Sequence, residues 1–293
     1  MKELLILALS LVLRSISVAE QPLELLVVAE RGSSAVSRPA DVLPVTYLSC
    51  DAGLIEAGDP VAGEMPPTAT DFRANLQASL AAQGYQPVSE SGTPSILLTC
   101  HWGSLRRSSY RQSPSWEIDP NLRARLELVA TPSQAGMIEN HFLREKFGAQ
   151  LNKNYPAPAI LSLELINILN RANDDRYFVI VTAYDYSAIT RQETKLLWRV
   201  RLSARDSHAS MKTALPTMLR GGQAFFGTQE ADTKTISVPV VFDFPPASPA
   251  ATPGISGRAE EVFVRDLLRR EYREYSGERI DRSTAERSGA GPG

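Results

Sequence analysis

The stretch "SILLTCHWGSLRRSSYR", residues 95–111, gathers the residue types that do chemistry. Cys100 and His101 are adjacent, serines follow, and Arg106, Arg107 and Arg111 close the segment, with Tyr110 inside it and Trp116 beyond. A cysteine nucleophile needs a histidine within hydrogen-bond reach. An arginine cluster can grip phosphate, and aromatic rings among the arginines can stack on bases. Each of these readings has a plainer competitor. Successive side chains on a strand point to opposite faces, so Cys100 and His101 do not readily form a dyad with each other. Ile96, Leu98, Cys100 and Trp102 share one face in this reading, and Leu97, Thr99 and His101 the other. Cys100 then reads as a small core hydrophobe. His101 is either a general base or a partly exposed structural histidine. The second is preferred, because no G-x-S-x-G turn surrounds any serine. The arginine segment reads as a solvated loop in preference to a phosphate grip. No catalytic residue is assigned, and His101, Arg106, Arg107, Arg111 and Trp116 stand as binding candidates.

The chain has two cysteines, Cys50 and Cys100, and three scattered histidines, His101, His141 and His208. Two alternatives stand for the cysteines. If their strands lie side by side, a disulfide would close a loop of about fifty residues and contribute about 4 kcal/mol in the chain-entropy account. Otherwise they are two core thiols. Two cysteines cannot supply the four ligands of a structural zinc site, so no metal is expected. No phosphate loop, dinucleotide fingerprint or calcium loop is present, so no cofactor is expected either.

The elements that must position these residues follow from patterning. The chain begins "MKELLILALSLVLRSISVAE". Lys2, the apolar run Leu4 to Leu13 and the small residues Ser17 and Ala19 predict a signal peptide over 1–19, the alternative being a buried N-terminal helix. No cysteine near the cut supports a lipid anchor. No other apolar run reaches the ~20 residues of a transmembrane helix, so no span is expected in the mature chain. Residues 20–43 read as a lead-in with a loop, and "LPVTYLSC" as a first strand. Thr68 or Thr70 caps a helix with Phe72, Leu76 and Leu80 on one stripe, and Gly84 ends it. "PSILLTCHW" is the next strand, followed by a polar loop.

Residues 121–172 form a helical insertion. "DRYFVIVTAYDYSA" and "TKLLWRVRLSARD" pair as a hairpin, with Arg199 and Arg201 on a face open to water. A last domain helix around "SMKTALPTMLRGG" is broken or kinked at Pro216 and weakened by Gly221 and Gly222. A short strand at "SVPVVF" leads into a Pro-rich linker over 245–257. An amphipathic helix follows over 258–275, with Val264, Leu268, Tyr272 and Tyr275 on one face. Residues 276–293 read as a disordered tail. The expected fold is a single α+β domain over 43–244: a small mixed sheet with helices packed on one face, in the order β-α-β, helical insertion, β-β-α, plus a flexible C-terminal tail.

"DFRANLQASLAAQGYQPV" followed by "PSILLTCHWG" resembles the helix, "GY" and strand of small uncharacterised bacterial envelope lipoproteins of the domain-of-unknown-function class. "YFVIVTAYDYSAITRQETKLLWRVRLSA" resembles their closing hairpin. The resemblance covers residues 68–102 and 177–228, and this chain lacks the lipid-accepting cysteine. It implies a periplasmic, non-enzymatic role and carries over no catalytic residue. The net charge of -2 gives no pull towards nucleic acid or an anionic membrane. The expected function is therefore an exported, periplasmic or secreted, binding or envelope structural protein. Its partner is a protein or envelope component, reached through the 258–275 helix, with no nucleic acid. The alternative is a hydrolase-like enzyme using His101 and the arginine loop 106–111.

Overall fold

The computed structural model describes residues 22–32, 44–89, 91–107, 120–151, 162–206, 209–240 and 258–276. The expected signal peptide, linker and tail, and the basic loop with Arg111 and Trp116, lie outside these residues. The strands are β1 (Leu23–Arg31), β2 (Val45–Ala57), β3 (Tyr85–Pro87), β4 (Ile96–Leu105), β5 (Arg176–Asp185), β6 (Leu196–Arg205) and β7 (Lys234–Val238). They form one mixed sheet in the order β3-β2-β4-β5-β6-β1-β7. β2 runs parallel to β3 and β4, and the other neighbours are antiparallel. The helices are α1 (Ala69–Ala81), α2 (Pro120–Val129), α3 (Pro132–Leu151), α4 (Leu163–Ala172), α5 (Tyr186–Ile189), α6 (Met211–Gly222) and α7 (Arg258–Ser276).

The β-α-β unit is built in the expected order, with the first strand running past Cys50 to Ala57. Thr68 caps α1: its hydroxyl oxygen accepts from the Asp71 N–H at 3.1 Å and its O–H donates to Asp71 Oδ2 at 2.7 Å. Phe72, Leu76 and Leu80 are buried on one stripe, and Phe72 stacks on Trp102 of β4 with centroids 4.7 Å apart. Gly84 takes a φ of 82° just beyond the helix, the left-handed conformation that glycine adopts without penalty. β2 and β4, on either side of α1, are direct neighbours.

The α+β class and the mixed sheet hold, while the sheet's second face corrects the expectation. It is not open to water. One face carries α1 and α6 over Leu25, Val27, Leu98, Cys100, Val200 and Leu202. The other carries α2, α4 and α7 over Leu26, Phe178, Ile180, Leu48, Leu97 and Tyr184. Arg199 and Arg201 sit beneath this second layer. Arg201 Nη1 donates to the Glu127 carbonyl at 2.8 Å and Ser203 Oγ to the Leu128 carbonyl at 3.3 Å. Thr233 Oγ1 donates to the Val129 carbonyl at 3.0 Å. These are the last carbonyls of α2, which lack partners within the helix and attract a cation. The arginines face an insertion that comes from a distant part of the chain, so strand alternation alone cannot reveal their cover.

Two further expectations change. The lead-in 20–43 contains β1, which lies between β6 and β7, with Leu23 to Ala29 fully buried apart from Glu24. A strand covered on both faces reads as an unbroken apolar run rather than an alternation. Helix α6 runs through Pro216 without a break. A Cβ at Gly222 would meet Leu202 Cδ1 at 2.5 Å, so α6 lies close on β6 there. The sheet and its cover thus draw in residues on both sides of 43–244.

Candidate functional site

The second face holds a buried carboxylate, Glu271 of α7, only 2% exposed. Its Oε1 accepts from Tyr184 Oη at 2.6 Å and from Thr99 Oγ1 at 3.1 Å, and its Oε2 lies 3.2 Å from His101 Nε2. Thr99 and His101 come from alternate positions of β4, and Tyr184 from β5. Period-two geometry puts all three on the same side of a rigid sheet. A buried carboxylate is costly unless hydrogen-bonded. Here burial alone would push its pKa up, but the bonds from His101, Tyr184 and Thr99 outweigh it and hold the group below its ordinary value. The Tyr184 hydroxyl moves the opposite way, raised by burial and then by the Glu271 charge.

Aromatic and charged side chains surround this centre. Tyr275 of α7 meets the His101 ring edge-on at 5.1 Å, and Arg199 lies over the Tyr275 ring with Cζ 5.8 Å from its centroid. Arg199 also stands 3.5 Å from Glu30 and 3.6 Å from Glu274. Arg201 pairs with Glu30 at 3.0 Å. Glu127 is raised by burial and by the nearby Glu274 charge, against the pull of Arg201 and Arg123. His101 Nδ1, Thr182 Oγ1 and the Tyr275 hydroxyl are buried here without a hydrogen-bond partner.

His101 is 0% exposed, not the partly exposed histidine expected from sequence, though it does lie on the face opposite Cys100. Arg106 is likewise buried, at 4%. Its Nε donates to Asp206 at 3.1 Å, its Nη2 pairs with Glu64, and its guanidinium lies 5.7 Å over the Tyr177 ring. Glu64 also accepts from the Tyr177 hydroxyl and, at 3.3 Å, from the Met211 N–H at the start of α6. Arg106 thus fastens a loop and a helix start. Arg107 is exposed, and its N–H donates to Asp175 at 2.8 Å. The structure separates the candidates: Arg106 with Cys100 on the first face, His101 on the second.

The disulfide alternative is overturned. Cys50 is paired in register with Thr99, and Asp51 with Cys100. Cys100 lies in the core beneath α1 and α6, while Cys50 packs on the opposite face. Neither is disulfide-bonded.

Glu271 is the residue that sequence reading missed, because a glutamate on an amphipathic helix reads as solvated. The buried stripe of α7 is Val264, Leu267, Glu271 and Tyr275, rotated from the expected Val264, Leu268, Tyr272 and Tyr275. Tyr272 is 37% exposed. The spacing i, i+7, i+11 from Val264 through Glu271 to Tyr275 was the available signal.

Among the described residues, no group of three or more His, Cys, Asp or Glu side chains is placed to hold a metal ion. Among them, no helix is long and apolar enough to cross a membrane. A shallow groove lined by Asn75, Ala78, Ser79, Pro216, Arg220 and Gln223 lies between α1 and α6, across the sheet from His101.

No protein-family model and no curated protein matches the sequence. Among solved structures, the chain is similar to the crystal structure of a DUF4136 family protein from Bacteroides thetaiotaomicron. The identity is 10%, the TM-score 0.28, and the match covers 70% of this chain and 97% of that one. The likeness is to a family of unknown function. At this level it assigns neither an envelope location, nor a lipid anchor, nor an activity.

Proposed function

We propose that this chain is an exported, non-catalytic binding or structural protein of the cell envelope. One observation carries the non-catalytic part. His101, the residue on which a hydrolase reading depends, is sealed beneath α7 with its Nε2 engaged by Glu271. A general base must reach the proton it removes, and a ring that is 0% exposed does not. Export rests on the N-terminal sequence alone: a short apolar run behind Lys2, with Ser17 and Ala19 before the cut.

The test has two arms. Purified protein is screened against ester, phosphoester, glycoside and peptide substrates beside a His101→Ala variant. The expected result is no turnover that depends on His101. Reproducible hydrolysis abolished by the substitution would make the chain an enzyme. Mass spectrometry of the N-terminus of native protein is expected to give Glu20 as the first residue, and an intact Met1 would remove the export reading.

A further inference from the structure

The seam between α1 and α6 departs from the apolar rule that most of the first face keeps. The buried residues of α1 are Phe72, Asn75, Leu76, Ser79 and Leu80. Phe72, Leu76 and Leu80 join the apolar core. Asn75 and Ser79, four residues apart on one side of the helix, form a polar row instead. They are 8% and 6% exposed and line the groove against α6. Apolar residues at these two positions would avoid the cost of burying polar groups, and departures of this kind concentrate at functional sites.

The groove encloses about 240 Å³. That is below the ~300–1,000 Å³ of sites for drug-sized ligands and suits a single small ring. Its walls mix donors and acceptors. The carboxamides of Asn75 and Gln223 and the Ser79 hydroxyl each carry both, and Arg220 only donates. Asn75 Nδ2 donates to the Asp71 carbonyl at 2.8 Å, which holds that amide in one orientation. Pro216 has no N–H, so the Lys212 carbonyl, one turn earlier in α6, lacks its helical donor beside the groove. Ala78 and the Pro216 ring supply an apolar strip.

Charge narrows the ligand class. Ala78 and Ser79 lie in the last turn of α1 and Arg220 in the last turn of α6. Helix C-termini carry partial negative charge, which one guanidinium offsets. None of the lining residues is a carboxylate, so a cation finds no counter-charge. A carboxylate or phosphate only accepts, so it would leave the acceptors of the wall unmet and sit against two negative helix ends. A hydroxyl both donates and accepts, and several on one ring match a mixed wall. We propose that the α1–α6 groove binds a neutral polyhydroxylated ring of the sugar class, with Asn75, Ser79, Arg220 and Gln223 as its hydrogen-bonding residues. The groove lies across the sheet from His101, so this inference stands apart from both export and the absence of catalysis.

The experiment titrates the ¹⁵N-labelled full chain with glucose and with N-acetylglucosamine, and in parallel with acetate and inorganic phosphate, following amide shifts. The expected result is saturable shifts in 72–82 and 212–224 with at least one of the two sugars, at roughly millimolar affinity, and none there with the anions. Ser79→Leu, which fills the groove, and Gln223→Ala, at its partly exposed edge, should each weaken binding about fivefold or more. Lys234→Ala, on the exposed part of β7, should leave it unchanged. If Ser79→Leu does not fold, Gln223→Ala and Arg220→Gln decide. Absence of saturable shifts with both sugars would overturn the site. Sugar binding that Gln223→Ala and Arg220→Gln leave intact would place it elsewhere and overturn it equally. Saturation of the same amides by acetate or phosphate, with the sugars inert, would overturn the ligand class.

Discussion

The two faces of one sheet are sealed in opposite ways. Under α1 and α6 the contact is mainly apolar, apart from the Arg106–Glu64 pair at the start of α6, and its largest group, Trp198, stacks on Phe226 with centroids 5.8 Å apart and meets Tyr85 edge-on at the same separation. Under α7 a buried carboxylate, a histidine, two tyrosines and an arginine sit beside apolar contacts of Val264 and Leu267 with Leu48, Val88, Leu97 and Ile189. Apolar burial is non-directional and proportional to area, so the first face tolerates small shifts and supplies stability. Buried polar groups are the reverse: satisfied they fix one arrangement, and half-satisfied they are costly. The first face therefore holds the fold together, and the second decides which helix, in which register, is allowed to sit.

The largest effect separates the faces directly. Trp198→Ala, at a site 1% exposed, should cost about 3–5 kcal/mol. The loss should appear as a lower midpoint of one cooperative transition in denaturant, because the residue packs into the core shared by β6, α6 and the 223–225 turn. A midpoint unchanged by the substitution would mean that the first face does not hold the fold together.

The second prediction uses acid. Glu271 has a folded pKa below its ordinary carboxylate value of 4.5. A depressed carboxylate contributes stability that is fully present above its unfolded pKa and is lost as the pH falls through the folded value. Docking of α7 should therefore hold above about pH 4.5 and weaken below it. Glu127 acts in the opposite sense, because burial and then the nearby Glu274 charge raise its pKa, so it takes up a proton earlier. Facing Glu271 from the sheet are His101, Tyr184 and Arg199, and from α7 itself Glu274 and Tyr275. Exchange-corrected amide protection should fall in 260–275 between pH 5 and pH 3 before it falls in 211–222. Simultaneous loss in both segments would break the contrast between the faces.

The first face was legible because its rules are local. The Thr68 cap, the Phe72–Leu76–Leu80 stripe and the alternation of Ile96, Leu98, Cys100 and Trp102 each follow from a few neighbouring residues. The second face was not. Arg199 and Arg201 look solvated until α2 and α7 arrive from 120–129 and 258–276. Glu271 looks solvated until Thr99, His101 and Tyr184 are known to lie beneath it. β1 was hidden by its own burial, since an apolar run buried on both faces carries no alternation to mark it as a strand. In each case the missing information is the identity of a distant partner, which no local period contains.

The smallest expected effect concerns the thiols, and it sharpens how completely the faces are kept apart. A bonded loop worth about 4 kcal/mol would make reductant lower Tm by several degrees. With Cys50 on the α7 side and Cys100 on the α1 side, dithiothreitol should leave Tm within about 1 °C. Alkylation of native protein should label Cys50, which is partly buried, well before Cys100, which is 2% exposed. A reductant-dependent Tm would require Cys50 to stand beside Cys100, a slip of one residue between β2 and β4. Such a slip flips every side chain of the strand. It would carry Tyr47 out of the apolar core and drive Leu48 into its place, so the burial that sets the register of β2 is what keeps the two thiols apart.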